Sequence, residues 1–116
     1  LYQNLTNTLI RFGTNGVRTV LWHQGESDSL VPTSATVYAQ TLSNIVFRSR
    51  TAAGWLVPWG IAEASFHPSA TRAQEEPVAA GQRLFTYTTT NCFRGPRTDE
   101  GRIRAAAVAT EQDREW

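Results

Sequence analysis

A three-layer α/β/α sandwich built on a parallel sheet is the fold class predicted by this 116-residue sequence. Helix-period and strand-type segments alternate along the chain. The stretches between successive strand patterns run a dozen residues or more, long enough for the crossover that a parallel pair needs. No internal repeat or low-complexity tract suggests another architecture. Three strands are few for such a sheet, which averages about five or six, so the domain reads as incomplete at both ends.

Residues 1–12 (LYQNLTNTLIRF) repeat Leu1, Leu5, Leu9 and Phe12 at intervals of three and four, an amphipathic helix already under way. Gly13-Thr14-Asn15-Gly16 supplies glycines for a helix stop and a turn. Residues 17–22 (VRTVLW) have the β-branched and aromatic content of a strand. Residues 24–33 are polar, Ser-rich and carry Gly25 and Pro32, hence a loop. Ser34 is placed to cap a second helix with Val37, Leu42, Ile45 and Val46 as its buried stripe, stopping before Gly54. Residues 55–62 (WLVPWGIA) read as a second strand, in which Pro58 and Gly60 point to an edge or a bend. Residues 63–70, with His67-Pro68, form a loop, and 71–81 a helix in which Pro77 starts a turn or makes a kink. Residues 84–90 (LFTYTTT) read as the third strand, 92–101 with Gly95-Pro96 as a loop, and 102–116 as a last helix.

Composition narrows the function classes. Eleven arginines, no lysine and ten acidic residues leave a net charge of +1, so no basic surface for nucleic acid is expected. Apolar runs such as Val20-Leu21-Trp22 are a few residues long, against about 20 for a membrane helix, so no membrane partner is expected. One cysteine, Cys92, and two histidines argue against a disulfide framework and a metal centre; neither metal nor cofactor is expected. No charged leader with an apolar centre reads as a signal peptide. The lack of any Met and the helix already under way at residue 1 suggest a piece of a longer protein. Compartment and oligomeric state carry no signal.

Ligands in open parallel sheets bind at the carboxyl ends of strands. The run Trp22-His23-Gln24-Gly25-Glu26-Ser27-Asp28 stands at such an end, bringing together an imidazole, an amide, a hydroxyl and two carboxylates. On composition alone the first reading is a polar strand-to-helix loop whose Ser and Asp cap the next turn.

The run LWHQGESD resembles a block of the sialate O-acetylesterase-like and acetylxylan esterases (carbohydrate esterase family six) within the SGNH/GDSL hydrolase superfamily. There a W-x-Q-G-E-x-D sequence follows a sheet strand. Residues 60–65 (GIAEAS) resemble that family's "VAQAS" strand end, Arg72 to Gly81 its "RxAQxxVAxG" helix, and residues 95–99 (GPRTD) its "GPxTD" loop. Glu75 stands where that helix has Gln, and Pro77 is foreign to it. The resemblance covers residues 1–99 of a single partial domain spanning 1–116, with 100–116 a divergent tail. It implies a flavodoxin-like SGNH sheet and Ser/His hydrolysis of acetyl esters on a carbohydrate substrate, without metal or organic cofactor. The family's nucleophile block, G-[DQ]-S-N, has no counterpart here, nor has its D-x-x-H block; no His follows His67. The chain alone is therefore expected to be inactive.

Ester hydrolysis passes through an oxyanion that needs neutral donors. The Gln24 amide is such a donor, and Gly25 lets the backbone turn and approach substrate. Glu26 fits two roles, bracing the loop through backbone N–H groups or orienting the catalytic His. Asp28, Ser27 and Trp22 support the block, His23 is expected beside Trp22 at the floor of the site, and His67 on the rim touching substrate. A local triad of His23, Ser27 and Asp28 is geometrically awkward. Trp55 and Trp59 fit either a sugar platform or the core. Cys92 has only Arg94 as a cation nearby, so an inert thiol is expected. Two other readings stand beside the esterase: a glycoside hydrolase pairing Glu26 with Asp28, and a non-catalytic binding module of the same fold.

Overall fold

The computed structural model describes residues 2–99. Helix α1 spans Tyr2–Gly16, strand β1 Val20–Trp22, a 3-10 turn Ser27–Leu30 and helix α2 Ala35–Ala53; strand β2 follows at Trp59–Glu63, helix α3 at Arg72–Thr88 and strand β3 at Cys92–Arg97. The architecture is α/β, with three parallel strands in the order β1-β2-β3 and three helices, an incomplete flavodoxin-like sheet. Trp59 is the register anchor, lying opposite Val20 on one side and Cys92 on the other.

The strands advance across the sheet in one direction, and right-handed crossovers then leave their helices on one face. Helices α2 and α3 pack on each other there, and α1 lies against α2. Leu9 of α1, Leu42 and Val46 of α2, and Val78 and Phe85 of α3 close over Trp59 and Ile61. The opposite face brings Leu21 and Phe93 together over Gly60, and Leu21 is 74% exposed. The described residues thus supply the sheet and one helical layer.

Local chemistry sets the helix ends. Ser34 Oγ accepts from the Val37 N–H at 3.1 Å, and Gly54 closes α2 in the left-handed region. Thr71 and Gln74 form a reciprocal capping box at the start of α3, worth about 1 kcal/mol. In the stripe expected of α2, Val37 is exposed and Tyr38 takes the buried position instead. In α1, Leu9 is buried, but Phe12 is 53% exposed.

Three expectations are corrected. Residues 84–90 do not form the third strand: α3 runs on to Thr88, because Val78, Gln82 and Phe85 continue one buried stripe at helical spacing. Thr86 and Thr88 return their hydroxyls to the Gln82 and Leu84 carbonyls, which accommodates β-favouring side chains in a helix. Pro77 sits inside α3, about one and a half turns from its start, where the partner it cannot bond is the carbonyl of exposed Ala73.

The third strand is Cys92–Arg97, within the stretch expected to be loop. Pro96 is tolerated because, among the described residues, β3 is an edge strand. Ile61 pairs with Arg94 and Glu63 with Arg97, so β3 carries one extra residue in a bulge around Gly95. A Cβ on Gly95 would stand 2.9 Å from the Ala62 nitrogen and 3.0 Å from the Ile61 carbonyl carbon, which is why glycine fits there. Conversely, β2 is the central strand rather than an edge, and Pro58 lies just before it. The helix expected over 102–116 falls outside the described residues.

One tie had no signal in the sequence. Arg50, 5% exposed near the end of α2, donates to the carbonyls of Val57, Thr90 and Asn91, each at 3.0 Å. It pins the helix to the starts of β2 and β3.

Candidate functional site

Parallel strands bring three chain segments to one end of the sheet: His23 to Asp28 after β1, Ala64 to His67 after β2, and Thr98-Asp99 after β3. The Trp22 ring, last in β1, packs on Trp59 with centroids 5.8 Å apart. Its Nε1 donates to the Tyr38 hydroxyl at 3.4 Å.

Gln24 is half-buried and held at its backbone carbonyl and its side-chain nitrogen. Its backbone carbonyl accepts from the Tyr38 hydroxyl at 2.6 Å and from Gln82 Nε2 at 2.9 Å. Its side-chain Nε2 donates to Asp28 Oδ2, and its Oε1 lies 3.1 Å from the Tyr38 oxygen. One of the two amide hydrogens is used by Asp28 and one remains. Burial pushes the Tyr38 phenol above its ordinary value, against the pull of hydrogen bonds from Gln82 and Trp22. Tyr38 therefore stays a neutral donor.

Gln82, 1% exposed, joins the ends of β1 and β2. It accepts from the Ala64 N–H at 3.0 Å and donates to the Ala64 and Gln24 carbonyls. Gly25 lies against it with φ +149°, and a Cβ there would run into the Ala64 carbonyl and the Gln82 amide. Ser29, fully buried, donates from Oγ to the Ser65 carbonyl and closes the loop from the other side.

His23 lies elsewhere than expected. Side chains alternate across a strand, and while Trp22 faces the core, His23 is exposed with Nε2 3.0 Å from Thr98 Oγ1. The Thr98 hydroxyl also donates to the Glu63 carbonyl at 3.1 Å. The other ring nitrogen faces Glu26 Oε1 at 3.6 Å. The Glu26 carboxylate makes no cap hydrogen bond at the 3-10 turn; the imidazole it faces is that of His23. Ser27 is exposed, and no hydrogen bond links it to His23 or Asp28 among the described residues; the local triad does not form. His67 Nδ1 accepts from the Ser69 N–H at 3.0 Å, so the ring is anchored in its own loop rather than to the Gln24 block.

Two carboxylates organise the far side of this end. Glu63, with 8% of its side chain exposed, meets Arg94 at 3.0 Å, Arg83 at 3.2 Å and Arg97 at 3.4 Å. Asp99 accepts from the Ser65 and Phe66 N–H groups and from Ser65 Oγ, all within 3.0 Å. Neither was singled out from sequence; the available signal was that both lie in segments matching the family's order.

A cavity of about 390 Å³ opens between β1 and α2, with Gln24, Asp28, Trp22 and Tyr38 at one end and Val37, Leu42 and Ile45 along its wall. Trp59 is fully buried in the core rather than a platform, and Trp55 packs against that core. Burial raises the Cys92 thiol, and the cation that opposes this is Arg50, 3.7 Å from the sulfur, rather than Arg94. No group of three or more His, Cys, Asp or Glu gathers as metal ligands would among the described residues. None of their helices is long and apolar enough to cross a membrane.

No curated protein and no solved structure matches the chain. A family model does, that of carbohydrate esterase, sialic acid-specific acetylesterase, over residues 1–93. With most of its length inside that match, and with the Gln24 block at the carboxyl end of a parallel strand, the chain belongs to the sialic acid-specific acetylesterase family of carbohydrate esterases.

Proposed function

We propose that the chain is the oxyanion-stabilising portion of a serine-type, SGNH-like carbohydrate O-acetylesterase, a partial domain acting on acetyl esters of sugars. A serine oxygen attacks the ester carbonyl, and the negative charge that develops on the carbonyl oxygen is met by the free hydrogen of the Gln24 amide. Collapse expels the sugar hydroxyl, which takes its proton from a histidine, and water then releases acetate from the acyl-serine. The serine and that histidine belong to blocks without a counterpart in these 116 residues.

The observation that carries the reading is the immobilised Gln24 amide, its carbonyl clamped by Tyr38 and Gln82, at the mouth of a cavity. A donor fixed before reaction costs no reorganisation when charge develops. Gly25 allows the loop to lie close to Ala64 and Gln82, and Glu26 lies at the same end, 3.6 Å from the His23 ring. Asp28 steadies the amide; Trp22 and Ser27 support the loop, and His23 and His67 meet substrate at the rim. The alternative as a glycoside hydrolase gains nothing, because Glu26 is not among the residues lining the cavity beside Asp28. A binding module without chemistry is disfavoured by an amide held by side chains beside an opening rather than sealed in backbone bonds.

The test is p-nitrophenyl acetate hydrolysis by the protein encoded with its flanking sequence. Gln24→Ala is expected to lower kcat about 10²- to 10³-fold with little change in KM. An unchanged kcat overturns the assignment. The 116-residue chain alone is expected to show no turnover, and turnover abolished by Ser27→Ala or His23→Ala overturns it as well.

A further inference from the structure

We infer that Gln82 of α3 is a positioning residue for the hydrolysis proposed above, acting through the Gln24 amide. Its side chain replaces a rung between the ends of β1 and β2 and so sets where the oxyanion donor stands. The inference rests on the esterase reading and concerns what couples that donor to the loop after β2. The strands, helix and loops that meet at Gln82 all lie within the described residues, and the side chain is 1% exposed. No open edge of the sheet takes part.

The ladder between β1 and β2 runs as far as the pair Trp22 and Ile61, while β2 continues to Glu63. Gln82 fills the gap beyond. Oε1 accepts from the Ala64 N–H at 3.0 Å, and Nε2 donates to the Ala64 carbonyl at 3.0 Å and the Gln24 carbonyl at 2.9 Å. Ala64 is thus met on both its N–H and its C=O, as a neighbouring strand would meet it. Both amide hydrogens and the oxygen are in use. Turned over, the amide would set its oxygen against two carbonyls, so its orientation is fixed, and with it the spacing between Gln24 and Ala64.

The segment Ala64 to Phe66 is itself held firmly. Ser29 Oγ donates to the Ser65 carbonyl, and Asp99 accepts from the Ser65 and Phe66 N–H groups. Gln82 carries the position of this anchor to the Gln24 backbone. Tyr38 holds the same Gln24 carbonyl from α2 at 2.6 Å and stays when Gln82 is changed. Loss of the Gln82 amide therefore lets the carbonyl pivot on Tyr38 rather than releasing the loop. A misplacement of about 1 Å costs a reaction on the order of 10²-fold in rate.

The experiment measures p-nitrophenyl acetate hydrolysis by the protein encoded with its flanking sequence, with kcat counted per folded molecule by tryptophan emission. Gln82→Met keeps the length and removes the donors; it is expected to lower kcat about 10- to 100-fold with KM within about twofold. In the Gln24→Ala background the same change should have little further effect on kcat, because no amide is left to position. Gln82→Glu is the second arm: protonation returns one donor, so its kcat relative to the parent should rise as pH falls. An unchanged kcat in folded Gln82→Met, an equal loss with and without the Gln24 amide, or a Gln82→Glu ratio flat with pH overturns the inference and leaves the esterase reading standing. If Gln24→Ala itself leaves kcat unchanged, the esterase reading falls and this inference with it.

Discussion

The Tyr38 hydroxyl lies 2.6 Å from the backbone carbonyl of Gln24 and 3.1 Å from that residue's side-chain oxygen, so one phenol on α2 addresses both ends of the proposed oxyanion donor. Its single proton serves the nearer carbonyl, and its oxygen accepts from the Trp22 indole at 3.4 Å. The backbone that carries the amide is thereby positioned by α2.

Tyr38→Phe should cost about 1–2 kcal/mol, because Gln82 still donates to the Gln24 carbonyl when the phenol is gone. Urea unfolding followed by tryptophan fluorescence measures this, and an unmoved midpoint would mean that the phenol contributes no net stability. The pH dependence has a definite sign. Burial raises the folded-state pKa of Tyr38, so its contribution is complete below the ordinary phenol value of about 10. Above it, the unfolded phenol ionises while the folded one keeps its proton, and stability falls with rising pH. Tyr38→Phe should remove that part of the alkaline slope.

Gln82→Glu should be more damaging than its size suggests. The carboxylate would place oxygen where Nε2 now donates to two carbonyls, those of Gln24 and Ala64. A loss of about 2–4 kcal/mol at neutral pH is expected from repulsion and unmet acceptors. Protonation restores one donor, so this variant should regain stability as pH falls, the reverse of an ordinary acid-labile protein. A denaturation midpoint flat with pH would count against the clamp.

Gly25→Ala should fold poorly, losing about 3 kcal/mol or more. The φ of +149° is strained for alanine, and the new methyl would press on the Ala64 carbonyl and the Gln82 amide. The same substitution at Gly54 meets nothing within 4 Å and should cost only the left-handed backbone penalty, about 1–2 kcal/mol. Similar melting temperatures for the two variants would refute this account.

Arg50→Lys keeps the charge and loses the fork. Three carbonyls now share one guanidinium in a buried position, and an ammonium on a flexible stem does not meet all three. A loss of about 2–3 kcal/mol in urea unfolding is expected. A midpoint within error of the parent chain would show that the three bonds are not cooperative.

Local patterning alone was enough for α2 and the placement of the Gln24 block after a strand, because period, caps and turn residues act over a few positions; α1 runs past the expected stop to Gly16. Ser34 and Gly54 bound α2 by chemistry visible in any window of five residues. The same reading failed at residues 84–97, where Tyr87 and the threonines favour a strand but the buried stripe of Val78, Gln82 and Phe85 carries the helix on through Tyr87 to Thr88. Strand β3 then forms from a Gly-Pro segment because β2 offers an open edge to pair with.

What only the tertiary structure decided is which group completes each polar contact. Gln82 reaches Gln24 across 58 residues, Thr98 reaches His23 across 75, and Asp99 reaches Ser65 across 34. Sequence reports the residue types able to make such bonds. Their partners are set by the sheet, which brings the carboxyl ends of all three strands to one place only after chain closure and burial have fixed the order β1-β2-β3.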